Sequence, residues 1–228
     1  MASFLPATSS FTSLSRTFSS IFEPCFKVAE SFLEYLATDS NDSLGLLLCI
    51  RIMQQQAFTL QRRKCPVTES WINSTNMILW PKFQAAMDAN VASLRRATAS
   101  LSSGSRTALA LSSPRHSEAS GNVAPTVITQ RFGQFMQSIL TLSSSTVPGI
   151  GSIISPDTEP VARSLHRIRG EFEAFLIKAS NELGPPRRRK FLSNNYSLLR
   201  TIVGEHEGTL AQEQLDWMAA QLLEAKSA

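Results

Sequence analysis

Apolar residues recur at steps of three and four along most of this chain, and this spacing restricts its fold more than any other feature. It is most regular over residues 158–183, where the steps alternate between four and three. The positions are Val161, Leu165, Ile168, Phe172, Phe175 and Ala179. Such a seam is coiled-coil-like, although it spans too few heptads to establish a coiled coil. No alternation typical of β-strands is present. The sequence therefore predicts an all-α protein of about seven helices in antiparallel bundles.

The first helix is predicted over residues 21–36 and the second over residues 44–64. Apolar residues of the first helix share one face; they are Phe22, Phe26, Ala29, Phe32, Leu33 and Leu36. Asp39, Asn41 and Asp42 offer oxygens that can cap the second helix, and Pro66 ends it. The second helix begins with an apolar run on all sides, so we expect it to lie centrally in a bundle.

The stretch MILWPKFQAAMD, at residues 77–88, sets a proline inside a helical pattern. Counted at about 100° per residue, large apolar side chains fill a band of about 120°. They are Met77, Trp80, Phe83, Met87, Val91 and Leu94. We predict that this band is buried and that Pro81 either begins a second helix on the same face or kinks a continuous one. The alternative is an exposed pair, Trp80 and Phe83, that binds a ligand.

Composition divides the chain into four segments. Residues 1–20 contain no acidic residue, are rich in Ser and Thr and carry one arginine, Arg16, so we expect a disordered leader with a weak likeness to a transit peptide. Residues 21–97 are predicted to form an N-terminal helical bundle, and residues 125–228 a C-terminal one. Between them, residues 98–124 are dominated by Ser, Ala, Gly and Pro, which is typical of a flexible loop.

Side chains that could support catalysis are few and poorly placed. His116, His166 and His206 are expected to be solvated surface residues, and Glu171 and Glu173 diverge because they lie two positions apart on a helix. The three cysteines form no CxxC pair and leave an odd count, which indicates neither a disulfide framework nor a zinc site. Metalloprotease, P-loop and dinucleotide motifs are absent. We therefore expect a non-enzymatic protein without a cofactor or metal.

The net charge of +4 permits contact with an acidic partner or a membrane surface but does not require it. Basic residues form three groups, at residues 62–64, 95–96 and 187–190. The last group, here called the basic cluster, comprises Arg187, Arg188, Arg189 and Lys190. A solvated helix start is its simplest interpretation; the alternative is contact with an acidic partner, an anionic lipid or nucleic acid. The longest apolar run, residues 44–50, is far shorter than the ~20 residues that cross a bilayer, so we expect a soluble or peripheral protein.

Four blocks of the sequence, in this order, resemble the vacuolar protein sorting-associated protein 52 family. They are DSLGLLLCIRIMQQQ, QRRKCPV, MILWPKFQAAMD and KFLSNNYSLL. The resemblance covers roughly residues 21–97 and 126–203 and corresponds to the C-terminal part of the family; the family's N-terminal coiled-coil portion has no counterpart in the sequence. It identifies a set of core or interaction residues, here called the signature residues. These are Gly45, Leu46, Leu47, Leu48, Cys49, Arg51, Pro66, Leu79, Trp80, Pro81, Phe83, Asp88, Asn194, Asn195 and Tyr196.

The resemblance implies a subunit of the Golgi-associated retrograde protein complex and of the endosome-associated recycling protein complex. These tethers capture endosome-derived carriers at the trans-Golgi network with Rab GTPases and syntaxin-type SNAREs. It implies helical bundles in an elongated rod, peripheral association with the cytosolic face of trans-Golgi and endosomal membranes, and helix-in-groove contacts with other subunits. It implies no nucleic acid partner.

The sequence departs from the family's pattern at three places. Lys82 stands where the family usually has arginine, Ser197 where an acidic residue is usual, and the Ser-rich residues 98–124 replace an aromatic-containing connection. The competing hypothesis is a basic helical module that binds nucleic acid or an anionic membrane, which requires the three basic groups to meet on one face.

Overall fold

The regular structure in the described part of the chain is helical. The computed structural model describes residues 7–101, 123–144 and 160–227, and these ranges contain no β-strand. Within these ranges seven α-helices follow one another, with a 3₁₀ helix at Pro66–Thr68 between the second and the third. They are α1 Ala7–Ala37, α2 Ser43–Arg62, α3 Glu69–Ser100, α4 Val127–Ser144, α5 Pro160–Ser180, α6 Pro185–Val203 and α7 Thr209–Ser227. The all-α prediction is confirmed.

Helix α1 starts earlier than composition predicts. It begins at Ala7, so residues 7–20 are helical where a disordered leader is expected, and residues 1–6 lie outside the described residues. The difference arises because apolar residues before Ile21 already follow the helical spacing, which the intervening Ser and Thr residues do not interrupt. Most of the predicted Ser-rich loop, residues 102–122, also lies outside the described residues.

Helix α2 is capped by one of the predicted residues, Asp42. Its Oδ1 accepts hydrogen bonds from the backbone N–H groups of Leu44 (3.1 Å) and Gly45 (2.9 Å). Two of the amides that a helix start leaves without partners are thereby satisfied. A Cβ atom at Gly45 would lie 2.5 Å from Asp42 Oδ2, so a side chain there would displace the capping carboxylate. Gly45 is therefore explained by the cap.

The chain divides into two compact units, Met1–Ala86 and Met87–Ala228. Composition predicts a boundary within residues 98–124, but the observed division falls inside α3. The difference arises because α3 is a single helix with buried side chains on both sides of the division: Leu79 and Phe83 before it, Met87 and Val91 after it. A continuous helix carries no change in composition that could reveal such a division.

The core of the first unit is built by α2 and α3. Its buried apolar residues are Leu46, Leu47 and Ile50 of α2 with Ile72, Leu79 and Phe83 of α3. Helix α1 joins them through its second half, where Phe26 stacks on Trp71 with ring centroids 5.2 Å apart and Ala37 is buried. The predicted central position of α2 holds for its first turns.

The predicted apolar band of α3 is only partly buried. Phe83, Met87 and Val91 are buried, but Trp80 and Leu94 are half-buried and Met77 is 77% exposed. The prediction for Met77 is wrong, because the buried face is rotated towards residues that the band omits, Leu79 and Ala86. Pro81 lies inside α3 at an exposed position. Proline has no backbone N–H, so the carbonyl one turn before it lacks its helical donor, and water can bond that carbonyl on the exposed side of the helix.

In the second unit, α4 and α6 run in the same direction. Near the start of α4, Thr126 bonds Asn195, and further along α4 Gly133 meets Ile202. A Cβ atom at Gly133 would lie 3.2 Å from methyl groups of both Leu199 and Ile202, so glycine permits the close approach of the two helices. This pair is packed tightly although the two helices are not consecutive.

Helices α5 and α7 also run parallel to each other. Arg169 of α5 reaches Gln214, and Glu173, one turn later, reaches Trp217 of α7. Short connections join α5 to α6 and α6 to α7, so consecutive helices are antiparallel, as predicted. The seam of α5 is buried from Val161 to Phe175 and half-buried at Ala179. Within it Phe172 stacks on Phe132 of α4 with centroids 4.2 Å apart.

None of the helices in the described ranges is long and apolar enough to cross a membrane.

Candidate interaction surfaces and the signature residues

The signature residues of α2 are divided between the core and the surface. Leu46 and Leu47 are buried, whereas Leu48 and Cys49 are exposed. Arg51 is half-buried and donates a hydrogen bond from Nη1 to Gln54 Oε1 (2.9 Å). Outside α2, Pro66 is exposed and is the first residue of the 3₁₀ helix, a position that needs no backbone N–H. Leu48 and Cys49 are thus the members of this group that a partner could contact.

The signature residues of α3 are mainly structural. Leu79 and Phe83 are buried, and Trp80 meets Phe83 edge to face with centroids 5.8 Å apart. Because Phe83 is completely enclosed, the alternative of an exposed Trp80 and Phe83 pair that binds a ligand is wrong. Asp88 is exposed and forms an ion pair with Arg167 of α5.

Asn195 of α6 is fully buried and holds the start of α4. Its Oδ1 accepts hydrogen bonds from the backbone N–H of Thr126 (3.0 Å) and from Thr129 Oγ1 (2.5 Å), and its Nδ2 donates to the Phe191 carbonyl (2.8 Å). Thr126 Oγ1 in turn accepts from the Thr129 N–H (3.0 Å), as an N-cap does. Since Thr129 O–H points to Asn195, Thr126 O–H donates to Thr129 Oγ1 (2.9 Å).

Asn194 extends this contact to the chain before α4. Its Nδ2 donates to the Val123 carbonyl (2.9 Å), so both asparagines of the Asn194–Asn195 pair bond the segment that leads into α4. The carboxamides are here called the asparagine clamp. Its role is to fix where α4 begins relative to α6.

Tyr196 is the last of the signature residues and packs against a polar and aromatic cluster between α5 and α7. Its ring meets Trp217 edge to face at 5.9 Å, and Trp217 donates its indole N–H to Glu173. The guanidinium of Arg169 lies 5.1 Å from the Trp217 ring centroid, a cation–π distance. Burial, with smaller contributions from the negative charges of Glu173 and Glu224, raises the pKa of Tyr196 far above its ordinary value of 10.0. The phenol therefore stays neutral at physiological pH.

The basic cluster forms the start of α6 and faces solvent. All four side chains are exposed, and within the described ranges none of them forms an ion pair. They add positive charge at a helix end that is already positive, and the N-cap residue, Gly184, offers no side chain. Beside them lies a cavity of about 460 Å³ whose lining includes Arg188, Arg189, Ile177 and Leu192.

The basic group at residues 95–96 is partly compensated by an acidic side chain of its own unit. Arg95 bonds Glu171 through Nε (2.8 Å) and Nη2 (2.6 Å), and this contact raises the pKa of Arg95. Residues 62–64 belong to the other unit. The pairing of Arg95 weakens the hypothesis of a basic nucleic-acid-binding or membrane-binding face.

Of the histidines that are predicted to be solvated, one is exposed in the structure and one is not. His166 is exposed, and its Nδ1 accepts from Arg169 (2.9 Å). His206 is half-buried rather than solvated: its Nε2 bonds Thr141 Oγ1 (3.2 Å), while its Nδ1 is buried without a partner. His116 lies outside the described residues. Among the described residues, no cluster of His, Cys, Asp or Glu has the geometry of a metal site.

Large exposed apolar side chains concentrate on α1. In its second half Val28 (70% exposed), Phe32 (61%), Tyr35 and Leu36 lie on one face, here called the docking face. The helical spacing predicts one face for Phe32, Leu36, Phe26 and Leu33, but Phe26 and Leu33 are half-buried while Phe32 and Leu36 are exposed. On α2, Leu48 and Ile52 add two exposed apolar side chains one turn apart.

Several residues that organise the second unit carry no recognisable sequence signal of that role. They are Gly133, Thr129, Arg169 and Trp217. Thr126 after Pro125 is a recognisable N-cap candidate. The others depend on contacts with helices more than forty positions away in the chain, as in the bonds from Thr129 to Asn195 and from Arg169 to Gln214.

Comparison with known proteins gives a consistent result. The family model described as Vps52, C-terminal, matches residues 6–227. Vacuolar protein sorting-associated protein 52 of Schizosaccharomyces pombe is 31% identical over 198 residues, and that of Saccharomyces cerevisiae is 32% identical over 180 residues. Vacuolar protein sorting-associated protein 52 B of Arabidopsis thaliana is 26% identical over 176 residues.

These matches cover most of this chain but a minor part of each relative. The shares of this chain are 86%, 78% and 77%, and the corresponding shares of the relatives are 34%, 26% and 21%. The chain thus spans about a third or less of the length of these relatives. No solved structure matches it.

Proposed function

Since the chain belongs to the vacuolar protein sorting-associated protein 52 family, we propose that it is a non-enzymatic subunit of a vesicle-tethering complex in retrograde transport from endosomes to the trans-Golgi network. The complexes would be the Golgi-associated retrograde protein complex and the endosome-associated recycling protein complex. The protein would act at the cytosolic face of trans-Golgi and endosomal membranes, as a peripheral component with a cytosolic pool.

The observation that carries this proposal is the uncovered docking face of α1. Val28, Phe32 and Tyr35 follow steps of four and three, which is the spacing that packs one helix against another. Exposed apolar side chains gathered on one face mark a protein contact more often than a solvent-facing surface. A helix of another subunit is the proposed occupant.

The test is affinity purification of the tagged chain from its source cell, with two double variants that have matched chemistry. Val28→Ser with Phe32→Ser removes two exposed apolar side chains from the docking face. Leu14→Ser with Ile21→Ser removes two similarly exposed side chains from the first half of the same helix. We expect the wild type and the second variant to recover the other subunits of the tether and the first to lose them about ten-fold or more. Recovery of no subunit by the wild type would refute the proposal.

A Golgi Rab GTPase and syntaxin-type SNAREs are proposed as further partners through the assembled tether. For the basic cluster we propose an acidic segment of such a partner, because the cluster is exposed, lacks ion pairs within the described ranges and adjoins a partly apolar cavity. Replacing Arg187, Arg188 and Arg189 by alanine should weaken partner binding most at low salt. Unchanged binding at low salt would remove the cluster from the interface.

A further inference from the structure

The two halves of α1 differ in the residues that surround their apolar faces. From Ala7 to Phe22, Arg16 is the single charged residue, and the remaining polar positions are Ser and Thr. After Glu23 the helix carries Lys27, Glu30 and Glu34 in addition. The two halves meet at Pro24, which lies inside the helix. The first half is thus an amphipathic helix with an almost uncharged polar side.

The apolar residues of the first half form one stripe. Counted at about 100° per residue, Phe11, Leu14, Phe18, Ile21 and Phe22 fall within a band of about 100°. Leu14 is 70% exposed, Ile21 is 62% exposed and Phe22 is also exposed. Phe18 is half-buried, and its ring contacts are with Phe22 (4.6 Å) and Phe26 (6.3 Å) of the same helix. The side chains of Leu14, Ile21 and Phe22 therefore face solvent.

The second half is held by the rest of its unit in a way that the first half is not. Phe26 stacks on Trp71, Ala37 is buried, and the Thr38 carbonyl accepts a hydrogen bond from Lys82. A shallow groove on the first half is lined by residues of α1 itself, among them Arg16, Ser20 and Glu23. Residues 13–22 of α1, which are mainly exposed, can therefore meet a surface that this unit does not supply.

The charge pattern of the first half selects among the surfaces that could cover it. A paired helix is usually chosen and oriented by charged residues beside the apolar seam, but Ser15 and Thr17 stand beside this one. An anionic membrane is usually bound by several Lys or Arg residues, and the first half has Arg16 alone. What remains is a lipid surface that attracts the helix by apolar insertion, without help from charge.

We propose that residues 7–22 of α1 form a lipid-packing helix, which binds strongly curved membranes by inserting Leu14, Phe18, Ile21 and Phe22 between loosely packed lipids. Curvature opens gaps between headgroups, and a helix with large apolar residues but few charges binds where such gaps are frequent. The inference deepens the proposed function and rests on it in one respect, since a small transport carrier is the curved membrane that a tethering subunit would meet.

The test is flotation of the purified chain with neutral phosphatidylcholine vesicles, either small and sonicated or large and extruded. We expect binding to small vesicles to exceed binding to large ones about ten-fold and to be insensitive to salt. The double variant Leu14→Ser with Ile21→Ser should bind small vesicles about ten-fold more weakly than the wild type. Val28→Ser with Phe32→Ser, the matched control beyond Pro24, should retain it. Far-UV circular dichroism establishes that both variants remain folded.

Three outcomes would overturn the inference. The first is no binding to small neutral vesicles, or equal binding to both sizes. The second is binding that needs anionic lipid and falls steeply with salt. The third is a dimer in light scattering that Leu14→Ser with Ile21→Ser abolishes, which would assign the stripe to a paired helix. If vesicle binding fails while the other tether subunits are still recovered, the proposed function stands; if vesicle binding succeeds while no subunit is recovered, the proposed function fails alone.

Discussion

The asparagine clamp can be tested directly by a substitution of Asn195, whose carboxamide is buried. Asn195→Ala removes the Oδ1 atom that accepts from the Thr126 N–H and the Thr129 O–H. The Thr129 hydroxyl keeps Thr126 Oγ1 as a neighbour at 2.9 Å, so the donor left without a partner is the backbone N–H of Thr126. A buried donor without a partner costs about 1–3 kcal/mol, and the lost side-chain volume adds about 1 kcal/mol. We expect the free energy of unfolding to fall by about 2–4 kcal/mol.

The measurement is urea unfolding followed by the fluorescence of Trp217. The background carries Trp71→Phe and Trp80→Phe, which remove the tryptophan fluorescence of the first unit. Thr129→Val keeps the shape of the side chain and leaves the Thr126 N–H bonded to Asn195, so it should cost about 1 kcal/mol. The exposed substitution Ser197→Ala should change stability by about 0.5 kcal/mol or less. An unchanged slope against urea would show that the unfolding reaction is the same in all variants.

The double variant Asn195→Ala with Thr129→Val sharpens the result. Both substitutions remove the bond between the two side chains, so the double variant should lose about 1 kcal/mol less than the two single losses added together. The reasoning is refuted if Asn195→Ala costs no more than Thr129→Val. It is also refuted if the two losses simply add.

Three further predictions use urea unfolding, followed by far-UV circular dichroism in the wild-type background for the substitutions in the first unit and by Trp217 fluorescence for those in the second. Phe83→Ala should lower the free energy of unfolding by about 3–5 kcal/mol and Trp80→Ala should lower it less, because the Phe83 side chain is enclosed and the Trp80 side chain is half-buried. The reverse order would contradict this reasoning. Gly133→Val should lose about 1–3 kcal/mol by pressing α4 against α6, and an unchanged midpoint would show that the helices separate freely. Because the pKa of Tyr196 is raised in the folded protein, its neutral form contributes stability below pH 10.0 that is lost as the pH rises further. The variant Tyr196→Phe should lose less stability at alkaline pH than the wild type. Identical pH profiles of the two proteins would refute this prediction.

The helical spacing predicts the elements well because each helix buries a periodic stripe. The seam from Val161 to Phe175 is enclosed as expected, and Asp42 caps α2 as its position before an apolar run suggests. Periodicity fails where it must decide which side of a helix meets the core. Met77 lies within the predicted band of α3 but at its outer edge, and a rotation towards Leu79 leaves it in solvent.

The long-range polar contacts could not be predicted in this way. The bond from Thr129 to Asn195 depends on which helices become neighbours, and periodicity carries no information on that choice. The same is true of Gly133, whose missing side chain matters only because Leu199 and Ile202 lie opposite. The roles of the docking face and of the basic cluster remain predictions, since both depend on partners.

The parallel pairing of α4 with α6 has a consequence for synthesis of the protein on the ribosome. Thr126 and Gly133 of α4 emerge well before Asn195 and Ile202, their partners in α6. Until α6 has been made, α4 lacks both its hydrogen-bond acceptor and the part of its apolar contacts that α6 supplies, and contacts of this sequence separation are slow to form. We expect nascent chains that end before residue 195 to bind chaperones that recognise exposed apolar segments, and chains that include α6 and α7 to be released from them.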